Sequence, residues 1–133
     1  MGNNRMKILV VDDEELICWS LKRSFEKKEG HTVCCVNTGD EALKKVMEDQ
    51  YDVIITDLKL PDVSGTELIK KINEVTNGAP MIVMSSHFPQ PTLEDITSHG
   101  VFRCITKPFQ IEDIISGVKE AAGLGMLPPL QGK

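Results

Sequence analysis

Charged and hydroxyl side chains follow or end short apolar runs in this chain, where buried strands are expected to end. Asp12 and Asp13 follow KILVV, and Asp57 follows VIIT. Ser85 ends MIVMS, and Lys107 follows VFRCIT. Carboxylates held close together repel one another and raise each other's pKa. A hard divalent cation with oxygen ligands, such as Mg²⁺, relieves that repulsion. The residue types therefore predict an acidic site that holds a cation.

This set of groups is typical of a site that takes a phosphoryl group onto a carboxylate. Asp57 is the expected nucleophile, because an ionised carboxylate can form an aspartyl phosphate without a general base. Mg²⁺ would neutralise charge on the transferred oxygens. Lys107 would pair with one of those oxygens, and Ser85 would donate a hydroxyl hydrogen bond to another.

Each of these residues also has an ordinary structural explanation. Acids such as Asp12 and Asp13 stabilise the positive end of a following helix. Lys107 alone is a loop lysine before a proline, and Ser85 alone is a strand-end hydroxyl. The functional interpretation requires that all of them reach one edge of one sheet, where open α/β sheets bind ligands.

The elements that must position these groups alternate five times along the chain. Strands are predicted at residues 7–11, 31–37, 51–57, 81–86 and 101–106. A helical pattern follows each strand, and the pattern ends at Gly30, at Asn77-Gly78 and at Gly100. Alternation of this kind predicts a parallel sheet covered by helices on both faces.

Caps and apolar positions mark the helices. Thr38 or Asp40 is the expected cap of the second helix, and Ser64 with Glu67 has the spacing of a capping box before the third. The fourth helix is predicted at residues 92–99. The second helix is expected to bury Ala42, Leu43, Val46 and Met47.

Length and composition predict one globular domain. The 133 residues are 41% hydrophobic and 26% charged, with a net charge of -5. An acidic chain without a basic run is not expected to contact nucleic acid. A membrane span and a signal-peptide core are also not expected, so we predict a cytoplasmic protein. Residues 1–5 are predicted to be an extension, residues 6–123 the domain, and residues 124–133 a tail or linker.

The four cysteines are Cys18, Cys34, Cys35 and Cys104. None forms a C-x-x-C pair, so neither a zinc site nor a disulfide framework is expected. Cys34 and Cys35 are adjacent in a predicted strand and should point to opposite faces of the sheet. Reduced thiols that pack as small apolar groups are the expectation.

Taken in order, the motifs resemble the receiver domain of two-component response regulators, over residues 7–122. The resemblance is carried by Asp12-Asp13 after KILVV, Asp57 in DVIITDLKLPDVSG, Ser85 in MIVMSSH, and Lys107-Pro108-Phe109. It implies an α/β fold: a (βα)₅ flavodoxin-like, or CheY-like, three-layer sandwich with a five-stranded parallel sheet in the order 2-1-3-4-5. The phrases LICWSLKRSFE and MIVMSSH are most similar to receivers of enhancer-binding transcription activators.

The resemblance also implies a phosphoacceptor switch rather than an enzyme with turnover on a separate substrate. Asp57 would take phosphate from a sensor histidine kinase, and the domain would catalyse its own phosphorylation and dephosphorylation. Mg²⁺ or Mn²⁺ would be held by Asp13 and Asp57 directly, by Asp12 through water, and by the main-chain carbonyl of Lys59. The bond before Pro108 would be cis. The fourth helix, fifth strand and fifth helix would form the output face and allow a homodimer.

One position departs from the family pattern. Receivers commonly couple the strand-four hydroxyl to an aromatic residue in strand five, three residues before the lysine, and here that position is Cys104. Phe102 is expected on the same face of the strand, two positions earlier. The pair of Ser85 and Cys104 is therefore an altered switch, and we expect phosphate to act through loop and helix motion instead.

Three other functions share parts of the pattern. A haloacid-dehalogenase-type phosphatase would need a second acid two residues after Asp57, where Lys59 stands. A flavodoxin-like electron carrier would need a phosphate loop at residues 12–15, where the acids would repel it. A degenerate receiver that only mediates binding is disfavoured because all five core residues are present, but Cys104 at the usual aromatic position keeps this alternative open.

Overall fold

The computed structural model of the protein describes residues 5–123. The strands are β1 Lys7–Val11, β2 Thr32–Val36, β3 Val53–Asp57, β4 Met81–Ser85 and β5 Val101–Thr106. The helices are α1 Glu15–Lys28, α2 Gly39–Glu48, α3 Gly65–Thr76, α4 Gln90–Thr97 and α5 Ile111–Gly123. Most of the predicted extension and all of the predicted tail lie outside the described residues. Within the described part, no helix has the length and apolar character that crossing a bilayer requires.

The five strands form one parallel sheet in the order β2-β1-β3-β4-β5, as predicted. The register aligns the strand ends that carry the polar groups. Val11 pairs with Thr56, which sets Asp12 beside Asp57. Ser85 pairs with Thr106, and the Lys107 N–H donates to the Ser85 carbonyl at 2.8 Å.

Two apolar cores lie on opposite faces of the sheet. Alternate β1 residues supply them: Ile8 and Val10 pack with α1 and α5, while Leu9 and Val11 pack with α2, α3 and α4. The central strands are therefore buried on both faces, which explains their continuous apolar runs. The adjacent cysteines divide as predicted, with Cys35 beside the first core and Cys34 beside the second.

The helix ends confirm some of the expected caps. The Thr38 hydroxyl accepts from the Glu41 N–H at 3.1 Å, and Asn77 ends α3 in the left-handed conformation with φ 58°. The capping box at Ser64 is wrong, because the Ser64 side chain makes no cap hydrogen bond. The chain instead enters α3 through Gly65, where a Cβ would lie 1.9 Å from the Leu58 carbonyl oxygen.

Two expectations about side-chain direction are also wrong. Met47 is 72% exposed at the end of α2 rather than buried. Phe102 and Cys104 were expected on one face, but Phe102 packs against the α1–α5 core and Cys104 against the other. The cause is an irregularity in β5, where Met81 pairs with Val101 but Ile82 pairs with Arg103. An extra residue in a strand breaks the two-residue alternation of side chains.

Candidate functional site

Three carboxylates converge where β1 and β3 end. Asp12 follows β1 and is fully buried, while Asp57 is the last residue of β3 and is 6% exposed. Asp13 is exposed at the rim. One carboxylate oxygen from each of the three lies within 4.8 Å of the others. The predicted acidic cluster is therefore assembled by the strand register.

Lys107 brings the positive charge to these acids from the end of β5. Its Nζ lies 2.9 Å from Asp57 Oδ2 and 3.2 Å from Asp12 Oδ2. The Lys107 side chain is only 15% exposed, so its ammonium group compensates two buried carboxylates with little screening by water. Glu14 Oε1 lies 3.8 Å from the same nitrogen, a contact that the sequence analysis missed.

Backbone N–H groups orient both buried carboxylates. Asp12 Oδ1 accepts from the Glu14 N–H at 2.8 Å, and Asp57 Oδ1 accepts from the Lys59 N–H at 3.1 Å. In each acid the backbone therefore binds one oxygen and Lys107 binds the other. Groups fixed in this way are already oriented for a reaction, so little reorganisation is needed.

The charges of the pocket shift two of its pKa values. Burial raises the pKa of the Asp12 carboxyl, and the negative charge of Asp57 adds to the rise, although the Glu14 N–H and Lys107 oppose it. Burial by itself lowers the pKa of Lys107, but the carboxylates of Asp57 and Asp12 outweigh burial and leave it raised. Lys107 is therefore a permanent cation in this pocket at neutral pH.

The donor set suits a hard divalent cation. Asp12, Asp13 and Asp57 offer only carboxylate oxygens, and Mg²⁺ prefers oxygen ligands while keeping several waters. The exposed Asp13 leaves one side of the cluster open to solvent, so a cation could retain water there. Lys59, whose carbonyl is a predicted ligand, lies in the adjoining loop and pairs with Ser64 across it.

Ser85 lies at the same edge, with its hydroxyl bound locally. The residue is 1% exposed, its Oγ donates to the His87 carbonyl at 2.8 Å, and it accepts from the His87 N–H at 3.2 Å. The hydroxyl therefore holds the start of the β4–α4 loop. Cys104 lies in β5, half-buried, and burial raises the pKa of its thiol. Lys107-Pro108 is a cis peptide bond, as expected.

The main chain of Asp12 is held by two residues that the sequence analysis did not assign to the site. Asn37 Nδ2 donates to the Asp12 carbonyl oxygen at 2.9 Å, and the Cys18 thiol donates to the same oxygen at 3.4 Å. Asn37 directly follows β2, so its place at the carboxyl edge of the sheet was a usable signal. The Cys18 contact comes from α1, and the position of Cys18 in the sequence does not indicate it.

An apolar groove of about 530 Å³ adjoins Lys107. It is lined mainly by the start of α1 and the β5–α5 loop, including Leu16, Ile17, Pro108, Phe109 and Ile111. Leu16 is 74% exposed and Trp19, one turn along α1, is 58% exposed. An apolar surface of this kind beside a polar site is suited to contact with another protein.

Comparison with known proteins gives one consistent match. The family model "Response regulator receiver domain" matches residues 8–119. The DNA-binding transcriptional regulator NtrC of Proteus hauseri is 30% identical over 114 residues, which are 86% of this chain and 24% of that protein. The chain therefore spans about a quarter of that relative's length.

Solved structures agree with the sequence match. A CheY-like response regulator receiver domain protein from Methanospirillum hungatei JF-1 superimposes with a TM-score of 0.85 at 29% identity, covering 90% of this chain and 94% of the other. The beryllofluoride-activated NtrC4 receiver domain dimer gives a TM-score of 0.79 at 34% identity, covering 86% of this chain and 94% of that one.

Proposed function

The chain belongs to the family of response regulator receiver domains of two-component systems, and on that premise we propose that it takes a phosphoryl group onto Asp57. The observation that carries the proposal is the position of Lys107, whose Nζ lies within 3.2 Å of both Asp57 and Asp12. A lysine held between two buried acids can form an ion pair with a phosphoryl group that is transferred to one of them.

The proposed step exchanges one bond at phosphorus for another. An Asp57 carboxylate oxygen attacks the phosphorus of a phosphohistidine, the N–P bond breaks, and its electron pair stays on the departing imidazole. Asp57 Oδ2 is the oxygen that faces Lys107, while the Lys59 N–H keeps Oδ1 in place. Lys107 then pairs with a phosphoryl oxygen, which compensates the added negative charge.

Asp13 and Asp57 would hold Mg²⁺ or Mn²⁺ directly, Asp12 through water, and the Lys59 carbonyl would be a further ligand. When bound, the cation would neutralise charge on the transferred oxygens. The carboxylate cluster supports this assignment, because its only side-chain donors are hard oxygens. Asp12 serves the site by fixing Lys107 through Oδ2.

Phosphorylation would release the start of the β4–α4 loop. Ser85 would turn its hydroxyl from the His87 carbonyl to a phosphoryl oxygen, so that residues after β4 lose one anchor. The face formed by α4, β5 and α5 would then respond by loop and helix motion, since Cys104 stands where an aromatic residue is usual. This face would control the output.

The partner that we propose is a sensor histidine kinase. The groove beside Lys107, with the exposed Leu16 and Trp19, would receive an apolar helix surface that carries the phosphohistidine. A homodimer through α4, β5 and α5 is a further proposal, supported by the likeness to an activated receiver dimer. We also propose that the protein controls transcription through a further domain and that it is located in the cytoplasm.

The test is labelling by acetyl phosphate followed by intact mass spectrometry. We expect one adduct of about 80 Da, the mass of HPO₃, in the presence of Mg²⁺. EDTA should remove the adduct, and so should the substitution Asp57→Asn. A label that survives in the Asp57→Asn protein would contradict the proposal, and continuous release of phosphate without a label would favour a phosphatase.

A further inference from the structure

Two of the free cysteines form a pair between α1 and the edge strand β2. The Cys35 thiol donates to the main-chain carbonyl of Cys18 at 3.5 Å, and both side chains belong to the α1–α5 side of the sheet. Cys34, the next residue along the chain, lies on the opposite side. The pairing is therefore specific to Cys18 and Cys35.

The two thiols differ in their surroundings in the way that a redox pair requires. Cys18 is 5% exposed, whereas Cys35 is half-buried on an edge strand and can be reached from solvent. The side-chain contact with Cys18 lowers the pKa of the Cys35 thiol. The accessible thiol is the one that reacts first with an oxidant.

We propose that Cys35 and Cys18 form a reversible disulfide when the protein meets a hydroperoxide, and that this modification acts on the acidic pocket. The Cys35 sulfur attacks the peroxide O–O bond, which gives a sulfenic acid and releases an alcohol or water. The Cys18 sulfur then displaces the hydroxyl group, forming the S–S bond and releasing water. Two thiols thus give two electrons to one peroxide, and a dithiol reductant returns them.

The main-chain carbonyl group of Asp12 connects the cysteine pair to the acidic pocket. The Cys18 thiol donates to the Asp12 carbonyl oxygen at 3.4 Å, and a disulfide has no S–H with which to donate. Asn37 then remains as the side-chain donor to that oxygen. Because Asp12 carries a carboxylate of the predicted cation site, oxidation should weaken the binding of a divalent cation. This second part rests on the proposed function.

The first experiment maps the disulfide and needs neither metal nor phosphoryl donor. Cys18 lies in the tryptic peptide at residues 8–22, while Cys34 and Cys35 share the peptide at residues 29–44. The Cys34→Ser protein therefore makes the assignment unique, and it is also the matched control. The protein is treated with hydrogen peroxide, blocked with iodoacetamide, digested and analysed by mass spectrometry.

We expect the two peptides to be joined in the wild type and in Cys34→Ser, and separated again by dithiothreitol. The Cys35→Ser protein should give no linked peptide. Linkage that persists in Cys35→Ser, or oxidation of Cys35 to sulfinic acid without any linked peptide, would overturn the proposal.

The second experiment measures Mg²⁺ binding by calorimetry on reduced and oxidised Cys34→Ser protein. We expect the Kd to rise about fivefold on oxidation, the lower end of typical coupling between sites, and to return on reduction. An unchanged Kd in protein shown to carry the disulfide would overturn the link to Asp12. A failure of Asp57 to accept phosphate would alter neither the linked peptide nor the Kd comparison, so the two proposals fail separately.

Discussion

The ammonium group of Lys107 lies 2.9 Å from Asp57 Oδ2 and closes the carboxyl edge of the sheet from the β5 side. Its second contact, 3.2 Å to Asp12 Oδ2, makes it the shared counter-ion of two buried acids. Removing one partner of a buried ion pair leaves the other charge uncompensated, and this is where the free-energy cost arises. Loss of Lys107 should therefore destabilise the folded protein far more than loss of the lysine of an exposed ion pair would.

We expect Lys107→Met to lower the free energy of unfolding by about 3 kcal/mol without metal, because two buried carboxylates lose their cation. Saturating Mg²⁺ should reduce this loss, since a bound cation stabilises the folded state by mass action. Urea unfolding with and without Mg²⁺ measures both effects. The exposed Lys59→Met is the matched control and should stay within about 0.5 kcal/mol of wild type. Equal effects of the two substitutions would contradict the counter-ion role.

The acidic pocket could be predicted from the sequence because parallel topology brings strand ends together. Asp57 follows an apolar run with no helical period, and Asp12 follows another, so both had to reach the same edge once the sheet was parallel. The Thr38 cap and the Asn77 helix end followed from local signals, whereas the sheet order was implied by the resemblance to receiver domains.

The features that could not be predicted depend on contacts between distant segments. The irregularity that places Phe102 and Cys104 on opposite faces depends on the register between β5 and β4, and no residue type in VFRCIT indicates it. The Cys18 and Cys35 pair depends on the angle at which α1 crosses β2. The local capping box of Ser64 failed because the close approach to Leu58 fixes the chain there instead.

Gly65 should tolerate no side chain. A Cβ at this position would lie 1.9 Å from the Leu58 carbonyl oxygen, so the backbone of the β3–α3 loop must shift. We expect Gly65→Ala to cost about 3 kcal/mol of unfolding free energy. Gly123→Ala is the matched control, because no atom of the described residues lies within 4 Å of a Cβ placed there. Thermal unfolding compares the two, and a Gly65→Ala protein as stable as the control would contradict the predicted clash.

The pH dependence of stability should report the buried His31. Burial lowers the pKa of His31 below its usual 6.5, and its Nδ1 accepts from the Met6 N–H at 3.1 Å. As the pH falls through 6.5, His31 takes up its proton in the unfolded chain before it does so in the folded protein. Protonation therefore favours the unfolded chain, and the free energy of unfolding decreases as the pH falls from 6.5 to the lower pKa of folded His31. His31→Asn, which keeps an acceptor but cannot titrate, should flatten the profile.

Urea unfolding at several pH values measures this profile. Ser86→Ala, which changes an exposed residue that does not titrate, is the control, and its stability should fall with pH as steeply as that of the wild type. A profile for His31→Asn that overlays the wild type would show that His31 titrates alike in the folded and unfolded chains.

Activation should loosen the segment that Ser85 holds. Because its hydroxyl binds both the carbonyl and the N–H of His87, a hydroxyl drawn to a phosphoryl group must release that backbone. We expect beryllofluoride with Mg²⁺ to change amide exchange within residues 85–109 and to leave α2 unaffected. Ser85→Ala should speed exchange of the His87 amide before any activation by about fivefold, because this N–H loses a hydrogen bond of about 1 kcal/mol to the hydroxyl. Ser86→Ala, at the exposed neighbour, should not. Protection that stays constant across residues 85–109 on activation would rule out this route from the pocket to α4.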